Sequence, residues 1–82
     1  MTAERPDPGF YIRKHLEERG WKPVNLVEFV QRPLREIEEI VAGHREITPQ
    51  VASGLAKAFD TSPQYWLNHQ MAWDLLQTAR DD

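Results

Sequence analysis

The placement of proline constrains the fold of this chain more than any other feature. Five of the six prolines precede stretches whose apolar residues recur at three- and four-residue steps, which is the spacing of a helix face. Proline suits the first position of a helix because the N–H that it lacks would have no partner there. Good capping residues, Asp7, Thr48 and Ser62, precede three of them. The prolines that predict a helix start are Pro8, Pro23, Pro33, Pro49 and Pro63.

The ends of the predicted helices are also marked in the sequence. Gly20 and Gly43 follow the first and third apolar runs, and glycine commonly ends a helix. No stretch has the pattern of a strand. We therefore predict an all-α fold, one domain over residues 1–82, with five helices at about 8–19, 23–30, 33–42, 49–59 and 63–78.

Composition narrows the classes of function. The chain contains no cysteine, which excludes disulfides and zinc–thiolate sites. No apolar run approaches the ~20 residues of a membrane span, and the first ten residues lack the apolar core of a signal peptide. We therefore expect a cytoplasmic protein with no membrane partner. The formal net charge is −3, whereas a protein that binds nucleic acid strongly and nonspecifically is usually basic.

The sequence offers no catalytic constellation. Its three histidines, His15, His44 and His69, are scattered without the spacing of metal ligands, and each fits a surface or boundary position. No glycine-rich phosphate loop is present, and the carboxylates fall on the outer faces of the predicted helices. We therefore predict no enzymatic activity, no catalytic residue, no metal, no cofactor and no small-molecule substrate.

Residues 26–45 predict two short helices joined by a tight corner. Within each helix the apolar residues fall on one face, which we expect to be buried. A second helix that is held from behind and open to solvent outside is the arrangement of a helix-turn-helix DNA-binding unit. The residues expected on the buried face are Leu26, Val27, Val30, Leu34, Ile37, Ile40 and Val41.

The second helix of this pair carries the candidate DNA contacts. Arginine there can donate to guanine O6 and N7, and glutamate can accept from cytosine N4. Cations at the helix ends are placed for phosphates. The candidate base-contacting residues are Arg35, Glu36 and Glu38. The candidate backbone-contacting residues are Lys22, Arg32, His44 and Arg45.

Three runs of sequence identify a family resemblance. PGFYIRKHLEERGW, RPLREIEEIVAGHREITP and GLAKAFDTSPQYWLN resemble the HigA-type antitoxins, helix-turn-helix proteins of the lambda-repressor-like, xenobiotic-response-element class. The resemblance covers nearly the whole chain without gaps. It implies a five-helix, usually dimeric domain that binds double-stranded operator DNA in its own promoter. It also implies a possible partner, a small basic ribonuclease toxin of the RelE-like fold.

The chain departs from this family where DNA would be contacted. Polar residues common in the family are replaced by Arg35, Glu36 and Glu38, Glu39 lies beside them, and the corner glycine is replaced by Gln31. The local charge is nearly neutral, so few cations are available to release counterions from DNA. An alternative therefore remains open, in which the acidic third helix binds a basic protein partner.

The fifth predicted helix is rich in apolar residues, and a monomer has limited core for them. Exposed apolar area of this kind marks interaction surfaces, although simple core packing remains an alternative. Phe10 falls towards the exposed side of the first helix, where it is either a local hydrophobic contact or a partner-binding aromatic. The residues predicted for a partner or homodimer surface are Phe10, Trp66, Trp73 and Leu76.

Overall fold

Four of the five helices start at or directly after one of the predicted prolines, and the fifth, α2, follows a 3₁₀ turn that starts at Pro23. The computed structural model describes residues 6–80, and these residues form helices and loops without a strand. The all-α prediction with five helices is confirmed. The helices are α1 Pro8–Arg19, α2 Val27–Val30, α3 Leu34–Val41, α4 Pro49–Phe59 and α5 Pro63–Arg80, with a 3₁₀ turn, Pro23–Leu26, leading directly into α2.

The second and third helices differ from their predicted bounds. Residues 23–30 begin as a 3₁₀ turn because the backbone N–H of Asn25 donates to the carbonyl of Lys22 at 2.9 Å, while the Asn25 side chain accepts from the Lys22 N–H at 2.8 Å. Pro33 is the N-cap of α3, with extended backbone, and Leu34 is its first residue. The fifth helix extends two residues beyond the predicted end.

The core is centred on α4, which packs against α2, α5 and the 3₁₀ turn. Gly54 allows α4 and α2 to approach closely, because a Cβ there would lie 2.6 Å from the Cα of Val30. Five of the residues predicted to be buried, Leu26, Val30, Ile37, Ile40 and Val41, belong to this core. Its buried residues are Ile12, Leu16, Leu26, Val30, Ile37, Ile40, Val41, Ile47, Val51, Ala52, Leu55, Ala56, Phe59 and Trp66.

Two residues lie on the opposite side from the one predicted. Trp66 was expected on a partner or dimer surface, but it is fully buried, and its indole N–H donates to Thr61 Oγ1 at 2.7 Å. Trp66 belongs to the core because the first turns of α5 pack against α4. Leu34 was expected on the buried face, but it is 38% exposed. The buried contact of α3 begins one turn later, at Ile37.

The rest of the predicted partner surface is partly accessible. Phe10 is exposed on α1, whereas Trp73 and Leu76 are half-buried on α5. The most exposed apolar residues of α5 are instead Met71 and Leu75, which are four residues apart on its solvent side. No helix between residues 6 and 80 is long and apolar enough to cross a bilayer.

Candidate functional site

Helix α3 is held on its inner side and at its C-terminal end, and it is open on its outer side. Ile37, Ile40 and Val41 are buried, and the 3₁₀ turn packs against them from behind. The guanidinium of Arg13 on α1 donates to the carbonyl of Val41 at 2.6 Å, which satisfies one of the free carbonyls at the end of α3. The outer side of α3 is therefore presented on a fixed support.

The corner between α2 and α3 is tight because Gln31 adopts the left-handed conformation. Its φ is 60°, and its N–H donates to the carbonyl of Val27 at 2.7 Å. Glycine favours this conformation because a Cβ is crowded there. The chain thus keeps the corner that the family resemblance implies, although the glycine is replaced.

Four charged side chains form a connected ion network along one flank of α3. We call Arg32, Glu36, Glu39 and Arg45 the α3 ion network. Arg32 binds Glu36 through both carboxylate oxygens, one of them at 3.1 Å from Nη2. Arg45 returns from the loop after α3 and lies 3.2 Å from Glu36 Oε1 and 2.8 Å from Glu39 Oε1. Two arginines are therefore neutralised by two glutamates of the same surface.

The ion network lowers the pKa of Glu36, the residue that contacts both arginines. The hydrogen bond from Arg32 is the main cause that lowers the pKa of Glu36 below its usual value; desolvation opposes it, and the charges of Arg32 and Arg45 add to the lowering. The same hydrogen bond raises the pKa of Arg32. Glu36 therefore stays ionised well below neutral pH, and it holds the two arginines beside each other.

The predicted contact residues fall into two groups in the structure. Arg32, Glu36 and Arg45 are brought together in the ion network. Arg35 and Glu38 are exposed on the outer side of α3 and have no ion pair or hydrogen-bond partner among the residues that the structure describes. Arg35 is therefore the cation of α3 that is available to an external ligand.

The other two predicted backbone-contacting residues, Lys22 and His44, are not members of the ion network. Lys22 is exposed at the start of the 3₁₀ turn. His44 lies in a shallow concavity of about 210 Å³ that is also lined by Pro8 of α1 and by Gln70 and Trp73 of α5. Arg45 also lines this concavity, so His44 lies beside a member of the ion network.

A cleft of about 450 Å³ lies beside the ion network. It separates α3 from the beginning of α4, where the Thr48 hydroxyl accepts from the Val51 N–H at 3.3 Å. The side chains of Arg32, Glu36 and Arg45 form one wall. The carboxylate of Glu36 lies between the two guanidinium groups. A phosphate bound by both arginines would need this same position. The other residues that line the cleft are Ile40, Glu46, Thr48, Pro49, Gln50 and Val51.

The ion network also reduces the negative charge that a basic protein partner would need. Glu36 and Glu39 are paired with arginines, which leaves Glu38 as the unpaired carboxylate of α3. The interpretation of α3 as an acidic protein-binding face therefore loses most of its electrostatic basis. Among the described residues, no group of histidine and acidic side chains has the arrangement of a metal site.

Sequence reasoning missed one residue of this surface. Leu34 was placed in the core from its helical spacing, yet it is exposed next to Arg35 on α3. The signal that could have identified it is its position directly after a proline that acts as N-cap, because the first residue of a helix has no preceding turn to pack against.

Comparisons with known proteins agree with this geometry. No family model matches the chain. An uncharacterized HTH-type transcriptional regulator of Escherichia coli K12, YddM, is 34% identical over 83 residues, covering 95% of this chain and 83% of the relative.

Two solved structures superpose on nearly the whole chain. One is the Pseudomonas aeruginosa antitoxin HigA with the higBA promoter, with a TM-score of 0.89, 28% identity, and coverage of 95% of this chain and 86% of that one. The other is an addiction module antidote protein of a HigA family from Coxiella burnetii, with a TM-score of 0.87, 29% identity, and coverage of 96% and 87%.

Proposed function

Because this chain belongs to the HTH-type transcriptional regulators and shares the fold of the HigA antitoxins, we propose that it binds operator DNA and represses its own operon as a HigA-like antitoxin. The observation that carries the proposal is the outer side of α3, which is rigidly supported, open to solvent and provided with an unpaired arginine in its first turn. The same fold is found in an antitoxin solved with its promoter.

Helix α3 has the dimensions and the chemistry for the major groove. An α-helix with its side chains is about 10–12 Å across, and the groove is about 12 Å wide. The first turns of such a helix meet the base edges. In this position Arg35 donates two hydrogen bonds to guanine, and Glu38 accepts one from cytosine N4.

Phosphate contacts come from the ends of the helices. Lys22, Arg32, His44 and Arg45 are the proposed backbone-contacting residues. For Arg32 and Arg45 a phosphate competes with Glu36, because both arginines already hold that carboxylate. Nonspecific binding, which depends on free cations, is therefore expected to be weak, and base contacts supply most of the selectivity.

The proposal includes two protein partners. One is a small basic ribonuclease toxin, proposed from the fold shared with an addiction module antidote protein. The other is a second copy of this chain, because helix-turn-helix dimers bind two half-sites about 34–36 Å apart. The proposed site of action is the cytoplasm, where a bacterial operator is located.

The test is a selection of the purified chain against sheared genomic DNA at ~100 mM salt, followed by a salt titration of the selected fragment. We expect enrichment of one palindromic site, with a shallow salt dependence that reflects few phosphate contacts. A folded protein that enriches no site would reject the regulatory function. Co-purification with the product of the adjacent gene tests the antitoxin role separately.

A further inference from the structure

Leu34 is an apolar side chain on a surface that is otherwise charged. It is 38% exposed, it is the first residue of α3, and it directly precedes Arg35. The other large exposed apolar residues lie elsewhere, on α1, the 3₁₀ turn, α2 and α5. Leu34 is therefore the large apolar side chain that α3 brings to the proposed DNA surface.

The neighbours of Leu34 define what this surface can bind. Glu36 is held by two arginines, so its carboxylate is engaged within the protein. The first turn of α3 thus offers two free groups, the isobutyl group of Leu34 and the guanidinium of Arg35. In the major groove, thymine alone presents a methyl group, and apolar side chains recognise it by direct contact.

We propose that Leu34 is a specificity-determining residue that packs against the C5 methyl group of a thymine in the operator. This inference rests on the proposed DNA-binding function and adds the chemical identity of one base. The thymine lies about one or two base pairs from the guanine contacted by Arg35, since consecutive Cα atoms are about 3.8 Å apart and base pairs about 3.4 Å apart.

The test removes the methyl group from the DNA and leaves every hydrogen-bonding group in place. Each thymine of the selected operator is replaced in turn by deoxyuridine, and the Kd is measured for the unmodified protein and for Leu34→Ser. At one thymine position we expect about a fourfold loss for the unmodified protein, the value of one buried methyl group, and no loss for Leu34→Ser. Leu34→Met, which keeps an apolar side chain of similar length, retains the loss.

The possible outcomes separate this inference from the function on which it rests. If no deoxyuridine substitution weakens the unmodified protein, or if Leu34→Ser shows the same loss, Leu34 does not contact a thymine methyl group although the protein still binds its operator. If the unmodified protein selects no operator, the regulatory function itself fails. If Leu34→Ser folds poorly, Leu34→Ala takes its place, because alanine is favourable in a helix and its side chain is too short to reach the methyl group.

Discussion

Arg35 and Glu36 are neighbours in sequence but differ in their electrostatic surroundings. Arg35 has no partner among the described residues, while Glu36 lies between Arg32 and Arg45. A charged side chain can exchange water for a DNA group only if its protein partners release it. For single residues, ion pairing rather than residue type therefore decides which charged side chains of α3 are free for an external ligand.

Replacement of Arg35 by alanine should weaken operator binding by about 1–3 kcal/mol, because a bidentate contact with guanine is lost. The loss should fall on one base position, so the variant no longer discriminates guanine from other bases there. Fluorescence anisotropy with single-base operator variants measures both effects. Lys14→Ala is the matched control, because it removes one exposed cation from α1. Equal losses for the two variants would remove Arg35 from a base-contacting role.

Replacement of Glu36 by glutamine should strengthen binding to DNA of any sequence. Arg32 loses its ion-pair partner, while Arg45 keeps Glu39, so one guanidinium group becomes available to a phosphate. The slope of log K against log salt should become steeper by about 0.9. Glu17→Gln on α1 is the control, because it changes the net charge equally, removes an exposed carboxylate outside the proposed DNA surface and breaks no ion pair of the described residues. If both variants change the slope alike, only net charge matters and the ion network does not restrain Arg32.

At the scale of elements, α1 joins α4 and α5 through an aromatic cluster around His15. The imidazole stacks on Phe59 at 5.0 Å between ring centroids, and its Nε2 lies 3.4 Å from the Tyr65 hydroxyl. Burial, followed by the charge of Arg19, lowers the pKa of His15 below 6.5, while Glu18 opposes the shift. The neutral imidazole is therefore the form that this junction stabilises.

This junction predicts a pH dependence of stability. The unfolded chain binds a proton at His15 near pH 6.5, whereas the folded chain binds it only at lower pH. The free energy of unfolding should therefore be fully retained above about pH 6.5 and decrease as the pH falls from there through the folded pKa. Urea unfolding between about pH 5.5 and 7.5 measures this slope. His15→Gln should flatten it, whereas the exposed His44→Gln should not; an unchanged slope in His15→Gln would assign it to other groups.

At the scale of the whole molecule, apolar surface remains on α5 after the core is complete. Met71 is 55% and Leu75 is 65% exposed, and both lie on one side of the helix. A second copy of the chain that covers this side would place two α3 helices for a palindromic operator. Phe10, Trp73 and Leu76 remain the proposed edges of that contact.

A charge on the exposed side of α5 should convert the proposed dimer into a monomer. In Leu75→Glu a carboxylate would have to be buried without a partner, which is unfavourable. Sedimentation of the full chain should give half the mass of the unmodified protein, and operator affinity should fall because the two half-sites bind separately. Val24→Glu places the same charge on another exposed apolar residue and should leave the mass unchanged. A dimer that persists in Leu75→Glu would place the contact elsewhere.

Features that depend on interactions between neighbouring residues can be predicted from the sequence. Proline has no N–H and a fixed φ, so helix starts can be predicted from its position alone. Apolar spacing predicted buried core residues, including Ile37 and Ile40, because helical periodicity is a property of consecutive residues. The tight corner between the two helices was also predicted, whereas the left-handed conformation of Gln31 was found only in the structure.

Tertiary structure alone decided which of these side chains are covered and which charges are paired. Trp66 is buried because α5 crosses α4, and Leu34 is exposed because none of the elements within residues 6–80 covers the start of α3. The pair Arg32–Glu36 has the four-residue spacing of a helix ion pair, but Arg45 reaches Glu36 only because the loop after α3 turns back along it. Burial and long-range pairing depend on elements distant in sequence, which local spacing does not specify.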